Sequence, residues 1–335
     1  MPHCIKAQRP SLTMEETLAR IGERSIINKI RGVYGYAWED DDAAAIGMGS
    51  SYMLVTTDSI NRETHIPAGA NPVTLGYFFA AINLSDIAAM GGKPEYFLSA
   101  LTLPRSMRLK ELLGMERGIA ACLKKYGTRM IGGDTKEGAE LCMTGIAIGA
   151  VARDRILRRR GAARGDLVCV TGTLGRNAAA YHMWKRTRSR LWANRILRVE
   201  PRVSEGMQIA RHGATSAMDL SDGVLSALRQ LSRLNRCGFE LDEASLPIDR
   251  AARHASMELG IDTDRLALGF GGEYELLFTI PKARFASLAS SARDSGVKIS
   301  AIGRVVAGRV CSLIKDGNRF VMRDRGFEHF TRENP

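Results

Sequence analysis

The 335-residue sequence lacks the features that mark several classes of protein. Its six cysteines include no C-x-x-C pair; this scatter argues against a zinc site and a disulfide framework, and we expect reduced thiols. No apolar run approaches the ~20 residues of a membrane helix; the longest, "LGYFFAAI", covers residues 75–82. The first residues also lack the apolar core of a signal peptide. We therefore expect a soluble, cytoplasmic protein with no membrane partner.

Acidic residues are in deficit, with 36 Asp and Glu against 48 Lys and Arg, a net charge of +12. The positive charge is concentrated in residues 153–165 and 185–202. Few aromatics lie between these arginines and no nucleic-acid-binding motif is present, so we do not expect nucleic acid as a partner. The remaining interpretations are a solvated basic face or attraction for phosphorylated small molecules.

Strand and helix patterns alternate along the chain, with no tandem repeat, which predicts an α/β or α+β fold. Apolar, β-branched runs predict strands at 52–58, 97–104, 141–151, 166–172, 274–280 and 297–306. Helical patterns cover 72–90, 109–125 and 222–234. The length suggests about two domains. We place the boundary at the arginine- and glycine-rich segment, giving domains 1–152 and 153–335.

Carboxylates recur at the ends of apolar strands or in the turns after them. They are Asp40, Asp41 and Asp42, Asp58, Asp86, Asp134, and Asp219 with Asp222. Any one such turn is typical of a helix cap or Asx-turn. Repeated hard oxygen ligands without His or Cys partners favour one Mg²⁺ site, because Mg²⁺ binds carboxylates, waters and substrate phosphates.

Asp86 stands out because "NLSDIAAMGGKPEYF" (83–97) is otherwise dominated by apolar and small residues. A buried carboxylate is costly unless it is paired, protonated or bound to metal. A helix turned so that Asp86 faces water is the simpler interpretation for one isolated acid. A metal site implies a polyphosphate partner, yet no P-loop is present, and "GTLGRNAAA" (172–180) lacks the P-loop lysine.

Taken in order, the motifs resemble those of the thiamine-monophosphate kinase family within the aminoimidazole-ribonucleotide-synthetase-like superfamily. They are "DDAAAI", "TTD" followed seven residues later by His65, "NLSDIAAMGGKP", "GGDT", "MDLSDGV", "GGEYELLFT" and "RGFEHF". The resemblance implies ATP-dependent phosphorylation of thiamine monophosphate to thiamine diphosphate. It also implies a homodimer whose N-terminal sheets form a barrel, followed by a C-terminal α/β domain.

The resemblance also assigns site residues. The implied shell of several Mg²⁺ ions is Asp41, Asp42, Thr56, Thr57, Asp58, Asp86, Asp134, Asp219 and Asp222. ATP contacts would come from Gly133, Asp134, Arg159 and Ser221, with Arg158 or Arg160 as alternatives to Arg159. Thiamine monophosphate contacts would come from His65, Glu273 and Phe327. The acceptor is an already anionic phosphate oxygen, so no catalytic general base is expected.

Two departures from the family pattern matter. The chain has Asp40-Asp41-Asp42 where the family usually has Gly-Asp-Asp, and "GGEYEL" is one acid short of the usual G-G-E-D-Y-E-L. We expect the strand to begin at Tyr274, with Glu273 near substrate and Glu275 in a structural pair.

Two alternatives to thiamine-phosphate kinase activity remain. One is a superfamily relative that uses ATP on another acceptor, such as a ring-closing ligase of purine synthesis or another small-molecule kinase. The other is a non-catalytic nucleotide- or RNA-binding module that uses the basic segment 185–202.

Overall fold

The computed structural model describes Leu18, residues 21–35 and residues 38–322. The chain divides into two compact units, residues 1–39 with 327–335, and residues 40–326. Among its described residues, the first unit contains helix α1 (Glu23–Tyr34). The second unit contains two mixed β-sheets and the helices that pack on them.

The first sheet has five strands in the order β1-β2-β5-β3-β4. Its strands are β1 (Ala44–Met48), β2 (Ser51–Asn61), β3 (Lys93–Leu103), β4 (Arg129–Glu137) and β5 (Cys142–Ala152). Neighbouring strands are antiparallel except for the parallel pair of β3 and β4. The helices that accompany this sheet are α2 (Pro72–Ala89) and α3 (Leu109–Lys125).

The second sheet has seven strands in the order β12-β11-β8-β10-β6-β9-β7. Its strands are β6 (Leu167–Thr171), β7 (Ser216–Asp219), β8 (Gly238–Asp242), β9 (Leu276–Ile280), β10 (Ile299–Val306), β11 (Cys311–Lys315) and β12 (Asn318–Val321). The remaining helices are α4 (Arg176–Thr187), α5 (Arg190–Ile196), α6 (Val203–Arg211), α7 (Val224–Asn235), α8 (Arg250–Leu259), α9 (Thr263–Leu268) and α10 (Lys282–Asp294). Among the described strands of this second sheet, only β8 and β11 are parallel neighbours.

The predicted α/β class and the six predicted strands are confirmed, as β2, β3, β5, β6, β9 and β10. The predicted boundary at 152/153 falls after β5, the last strand of the first sheet, and before β6, the first strand of the second. The division into domains at that point stays a prediction.

Helix α2 is the central helix of the fold. The Asn71 side chain accepts a hydrogen bond from the Val73 amide and Pro72 occupies the first turn, so two start signals coincide. By length and composition alone α2 could cross a membrane, but 72% of it is buried. Its wholly buried side chains, such as Phe79, Leu84 and Ile87, identify it as a core helix.

Helices α2 and α3 approach each other closely at two glycines. A Cβ built on Gly76 would lie 1.9 Å from the Met115 carbonyl oxygen, and one on Gly118 would lie 2.0 Å from the Val73 carbonyl oxygen. Only glycine permits this backbone contact. The contact fixes α2 against α3.

The two faces of strand β5 are covered to different extents within one chain. Its residues alternate between buried and half-buried. Helix α2 covers one face, where Asn83 lies against Gly145 and Ile87 against Gly149. The other face, with Ile146 and Ile148, is only partly covered within one chain.

Candidate active site

Three carboxylates from distant parts of the sequence meet in the second unit. Asp42 lies in the turn before β1, Asp86 on α2, and Asp219 at the end of β7. One carboxylate oxygen of each lies within 4.8 Å of the others. We call these three residues the acidic cluster. The otherwise apolar helix α2 therefore carries its single acidic residue, Asp86, to a point where elements of both sheets meet.

Asp86 is held in this position by β2. The Thr56 hydroxyl donates a 2.6 Å hydrogen bond to Asp86 Oδ2. Burial raises the pKa of Asp86 well above its ordinary value, and the charges of Asp58, Asp219 and Asp42 raise it further. A site that resists negative charge in this way favours a cation.

Asp219 is almost wholly buried, at 2% exposure. Its Oδ2 accepts 2.8 Å from the Ser85 hydroxyl, and its Oδ1 accepts 3.0 Å from the Ser221 hydroxyl. Burial, followed by the charge of Asp42, raises its pKa to about 7, although both serine hydrogen bonds lower it. Hydrogen bonds therefore orient both oxygens of this carboxylate, and a nearby positive charge would stabilise its ionised form.

The alternation of side chains along β2 places the three predicted metal-shell residues of this strand on two different faces. Thr56 and Asp58 are two apart and share the face toward α2. The Asp58 amide donates 3.0 Å to Asn83 Oδ1, and the Asp58 charge acts on Asp86. Thr57 points to the other face, and its hydroxyl donates to the Gly145 carbonyl. Its side chain is not brought to the acidic cluster in a single chain, and its place in the metal shell stays a prediction.

Two arginines bind the turn that carries Asp41 and Asp42. Arg158 Nη1 donates 2.7 Å to Asp41 Oδ2, and the Arg159 amide donates 2.8 Å to Asp41 Oδ1. The Arg159 guanidinium binds both oxygens of Asp42 at 2.7 and 3.3 Å. Arginines therefore bind both acids, and Asp42 is the one of the two whose carboxylate lies in the acidic cluster.

Asp134 and Gly133 lie apart from the acidic cluster, on the edge strand β4. All nine residues of this strand are exposed. Asp134 Oδ2 lies 3.3 Å from the Lys136 ammonium nitrogen, and the Asp134 side chain is 59% exposed. Gly133 lets β3 approach, since its Cβ would lie 2.2 Å from the Ser99 carbonyl oxygen. The structure does not bring Asp134 to the other acids.

The remaining predicted residues are placed as follows. Ser221 and Asp222 follow β7 directly, beside Asp219. His65 lies in the turn after β2, where its Nδ1 is 2.7 Å from the Thr64 hydroxyl. Phe327 lies outside the described residues.

Glu273 and Glu275 have separate environments, and strand β9 begins at Leu276, two residues later than expected. Left-handed backbone at Gly272 and Tyr274, with φ of 83° and 53°, delays the strand. Arg202 binds both oxygens of Glu275, at 2.5 and 2.6 Å, and the Thr171 hydroxyl donates 2.6 Å to Oε2. Glu275 thus forms the structural pair we expected.

Glu273 is buried, at 3% exposure, and its side chain packs against the first turn of helix α4. Its Oε1 accepts 2.9 Å from the Asn177 amide, while Oε2 has no hydrogen-bond partner and lies 3.9 Å from Arg176 Nε. Burial raises the pKa of Glu273 to about 7, although Arg176 lowers it. Oε2 is therefore buried without a hydrogen bond, and the nearby Arg176 guanidinium is its ion-pair partner.

Sequence reasoning missed three residues around the cluster. Asn83 and Ser85 precede Asp86 on α2, and polar residues inside an apolar helix were the signal available for them. Tyr274 had no such signal. Its ring contacts the Phe78 ring on α2, and burial, followed by the charges of Asp58, Asp219 and Asp86, raises its pKa.

The acidic cluster suits a hard divalent cation. Its donors are carboxylate oxygens from three elements, and Mg²⁺ binds such oxygens at about 2.1 Å with waters or phosphates completing its octahedron. Oxygens within 4.8 Å of one another can share one such ion after small adjustments. Asp42, Asp86 and Asp219 are therefore the residues that would hold Mg²⁺, with Asp58 adjoining.

Comparison with known proteins supplies a family. Residues 40–151 match the N-terminal domain of AIR synthase related proteins, and residues 163–316 match their C-terminal domain. The thiamine-monophosphate kinase of Pyrococcus horikoshii is 33% identical over 291 residues, which are 86% of this chain and 90% of that protein. The Escherichia coli kinase of the same name is 35% identical over 301 residues, covering 87% and 90%.

Solved structures show the same similarity in three dimensions. AaThiL complexed with AMPPCP and TMP matches with a TM-score of 0.84 at 26% identity, covering 94% of this chain and 99% of that one. Escherichia coli HypE, a hydrogenase maturation protein, matches with a TM-score of 0.69 at 19% identity, covering 90% and 97%. The second likeness shows a shared fold only.

Proposed function

This chain belongs to the thiamine-monophosphate kinase family, and we propose that it transfers the γ-phosphoryl group of ATP to thiamine monophosphate. The similar AaThiL structure holds AMPPCP and TMP. We further propose that the transfer is direct and in line, and that it depends on Mg²⁺.

The meeting of Asp42, Asp86 and Asp219 within 4.8 Å supports this proposal most strongly. Two phosphorylated substrates repel each other, so the enzyme must bring positive charge to the reaction centre. When bound, Mg²⁺ would neutralise and align the phosphate oxygens and stabilise the transferring group. Several ions are proposed, held by the acidic cluster together with Asp41, Asp58, Asp134, Asp222 and the threonines 56 and 57.

The protein's own residues then orient the reactants. The acceptor phosphate oxygen is anionic near neutral pH, so no side chain has to remove a proton. Thr56, Ser85 and Ser221 fix carboxylate orientations through the hydrogen bonds described above. Preset carboxylates reduce the reorganisation that would otherwise accompany metal and substrate binding.

Substrate contacts are proposed for two groups of residues. Gly133, Asp134, Arg159 and Ser221 would contact ATP, and His65, Glu273 and Phe327 would contact thiamine monophosphate. The Oε2 of Glu273, which accepts no hydrogen bond, supports a substrate role, since a carboxylate favours the cationic thiazolium.

A homodimer through the first sheet is also proposed. The half-covered face of β5 and the exposed edge strand β4 leave apolar side chains such as Ile131 at 50% exposure. Burying such a surface against a second copy would be favourable. We propose in addition a domain boundary at 152/153 and a soluble, cytoplasmic enzyme.

An acceptor panel tests the function. Purified protein with Mg²⁺ and ATP is given thiamine monophosphate, other phosphorylated acceptors or none, and products are separated by chromatography. We expect thiamine diphosphate and ADP with thiamine monophosphate only. ADP formation with another acceptor, and no thiamine diphosphate, would support another member of the superfamily instead.

A further inference from the structure

Arg159 is the cation that contacts the acidic cluster most directly among the described residues. Its Nη2 donates 2.7 Å to Asp42 Oδ1 and its Nε donates 3.3 Å to Oδ2, so both oxygens of Asp42 are engaged. Its Nη1 donates 3.0 Å to Gln230 Oε1 on α7. The guanidinium thus joins the cluster to the second sheet's helix layer.

The backbone of this arginine is firmly anchored. Asn235, the last residue of α7, accepts hydrogen bonds from the amides of Gly161 and Ala162 at 2.7 and 3.1 Å. Its amide nitrogen donates 2.9 Å to the carbonyl oxygens of Arg159 and Leu231. These four bonds use the full capacity of an Asn side chain. The backbone at Arg159 is therefore tied to the end of α7.

The two partners differ in accessibility. The Asp42 side chain is 1% exposed and the Arg159 side chain 19% exposed. Burial lowers the pKa of the Arg159 guanidinium, but the charges of Asp42, Asp219 and Asp86 raise it above its ordinary value. Arg159 stays charged, and it is the partner with room to swing away.

We propose that Arg159 and a divalent cation alternate as partners of Asp42, so that a metal taking Asp42 releases the guanidinium to a phosphate of the nucleotide. This inference rests on the proposed function, because it assigns Arg159 to ATP. The two proposed partners of Arg159, the Asp42 carboxylate and a nucleotide phosphate, suit this exchange. A guanidinium fork binds carboxylate and phosphate in the same two-point manner. A metal needs an Asp42 oxygen that Arg159 already holds.

The exchange has a reciprocal consequence. If metal and guanidinium compete for Asp42, removing Arg159 helps metal binding. If Asp42 and phosphate compete for Arg159, removing the Asp42 charge helps nucleotide binding. With both competitions present, bound metal raises the affinity for nucleotide, and bound nucleotide raises the affinity for metal by the same factor.

Two binding measurements without thiamine monophosphate test the exchange. Mn²⁺ binding without nucleotide is measured by electron paramagnetic resonance for wild type and Arg159→Gln. Arg160→Gln serves as the charge-matched control, because Arg160 Nη1 donates instead to the Leu234 carbonyl. We expect Arg159→Gln to bind Mn²⁺ on the order of tenfold more tightly, and Arg160→Gln to change little.

The second measurement is binding of β,γ-methylene ATP in excess EDTA, by calorimetry. Asp42→Asn should bind the analogue several-fold more tightly than wild type, because Arg159 is released. Asp219→Asn is the matched control, since it removes one charge from the same cluster without a direct bond to Arg159, and its gain should be smaller. Each variant is first shown to unfold cooperatively at a temperature near that of wild type. Arg159→Lys replaces Arg159→Gln if the latter does not fold, with a smaller gain expected.

Unchanged or weaker Mn²⁺ binding by Arg159→Gln would overturn the exchange. Equal gains for each variant and its control would also overturn it, since general electrostatics would then suffice. Neither result touches the kinase assignment, because no turnover is measured. Conversely, absent turnover in the acceptor panel would leave these two binding results intact.

Discussion

Ser85 on helix α2 donates a 2.8 Å hydrogen bond to Oδ2 of Asp219 at the end of β7. The two residues are 134 positions apart, and both are buried. This bond joins the helix of the first sheet to a strand of the second at the acidic cluster. The relationship explains why a polar residue stands directly before Asp86 in an apolar helix.

Replacing Ser85 with alanine should lower the free energy of unfolding by about 1–3 kcal/mol. The reason is that a buried carboxylate oxygen loses its hydrogen-bond donor. Urea unfolding measures the change. Ser51→Ala is the control, because that exposed hydroxyl donates a hydrogen bond to the Met48 carbonyl, and its effect should stay within about 0.5 kcal/mol. Equal effects of the two variants would contradict this account of Ser85.

Stability in the presence of a chelator should depend on the charge of Asp219. Its pKa is raised from 3.8 to about 7 by burial and by Asp42. Between these pH values the unfolded chain has lost the proton that the folded chain keeps, so stability falls as pH rises through this window. Asp219→Asn removes this loss. The free energy of unfolding of the variant, minus that of wild type, should therefore increase from pH 4 to pH 7 and then stay level.

Urea unfolding with EDTA at several pH values tests this sign. Any constant cost of the asparagine amide shifts all points equally and does not affect the slope. A difference that stays constant or decreases with rising pH would show that Asp219 is not the buried, charge-resisting group described here.

Glu273 and Glu275 should respond differently to the same change. Glu275→Gln weakens the ion pair with Arg202 and should cost about 2 kcal/mol of stability. Glu273→Gln should stay within about 1 kcal/mol of wild type and mainly raise the Michaelis constant for thiamine monophosphate, leaving that for ATP nearly unchanged. If Glu273→Gln instead loses stability with an unchanged Michaelis constant, Glu273 stabilises the start of helix α4 and does not bind substrate.

The first sheet should mediate dimerisation. Light scattering is expected to give twice the chain mass of 36.6 kDa at micromolar concentration. Ile148→Lys places a charge on the half-covered face of β5 and should yield a monomer. Met257→Lys, at a side chain 80% exposed on helix α8, is the control and should remain dimeric. A monomeric wild type would rule out the proposed assembly.

Much of this fold follows from local sequence signals. The bounds predicted for the helix at 109–125 match α3, and Pro72 marks the start of α2. In contrast, the sequence did not predict β1, β4, β7, β8, β11 or β12, because all of them except β4 have only four or five residues and are defined by pairing with neighbours. Strand β4, "RMIGGDTKE", is exposed throughout, so it has no burial pattern for its sequence to reflect.

The site was predictable in its acids but not in its contacts. Strand-end carboxylates and one acid in an apolar helix identified Asp42, Asp86 and Asp219. Whether Asp41 or Asp42 faces the cluster depends on which arginine binds each, and that is set by tertiary packing. The late start of β9 likewise arises from left-handed backbone at Tyr274, which the strand periodicity does not reveal.

Product formation by Asp86→Asn tests the central claim most directly. Thiamine diphosphate formed from ATP and thiamine monophosphate is measured with Mg²⁺ and with EDTA, for wild type, Asp86→Asn and Asp134→Asn. Wild type should act only with the divalent cation. Asp86→Asn should lose on the order of 100-fold or more of its turnover, yet unfold at the same or a higher temperature in EDTA, since carboxylate repulsion is relieved. Asp134→Asn should also lose most of its turnover if the metal shell extends to β4. Near-normal turnover by a destabilised Asp86→Asn protein would contradict the account, because the carboxylate would then be structural.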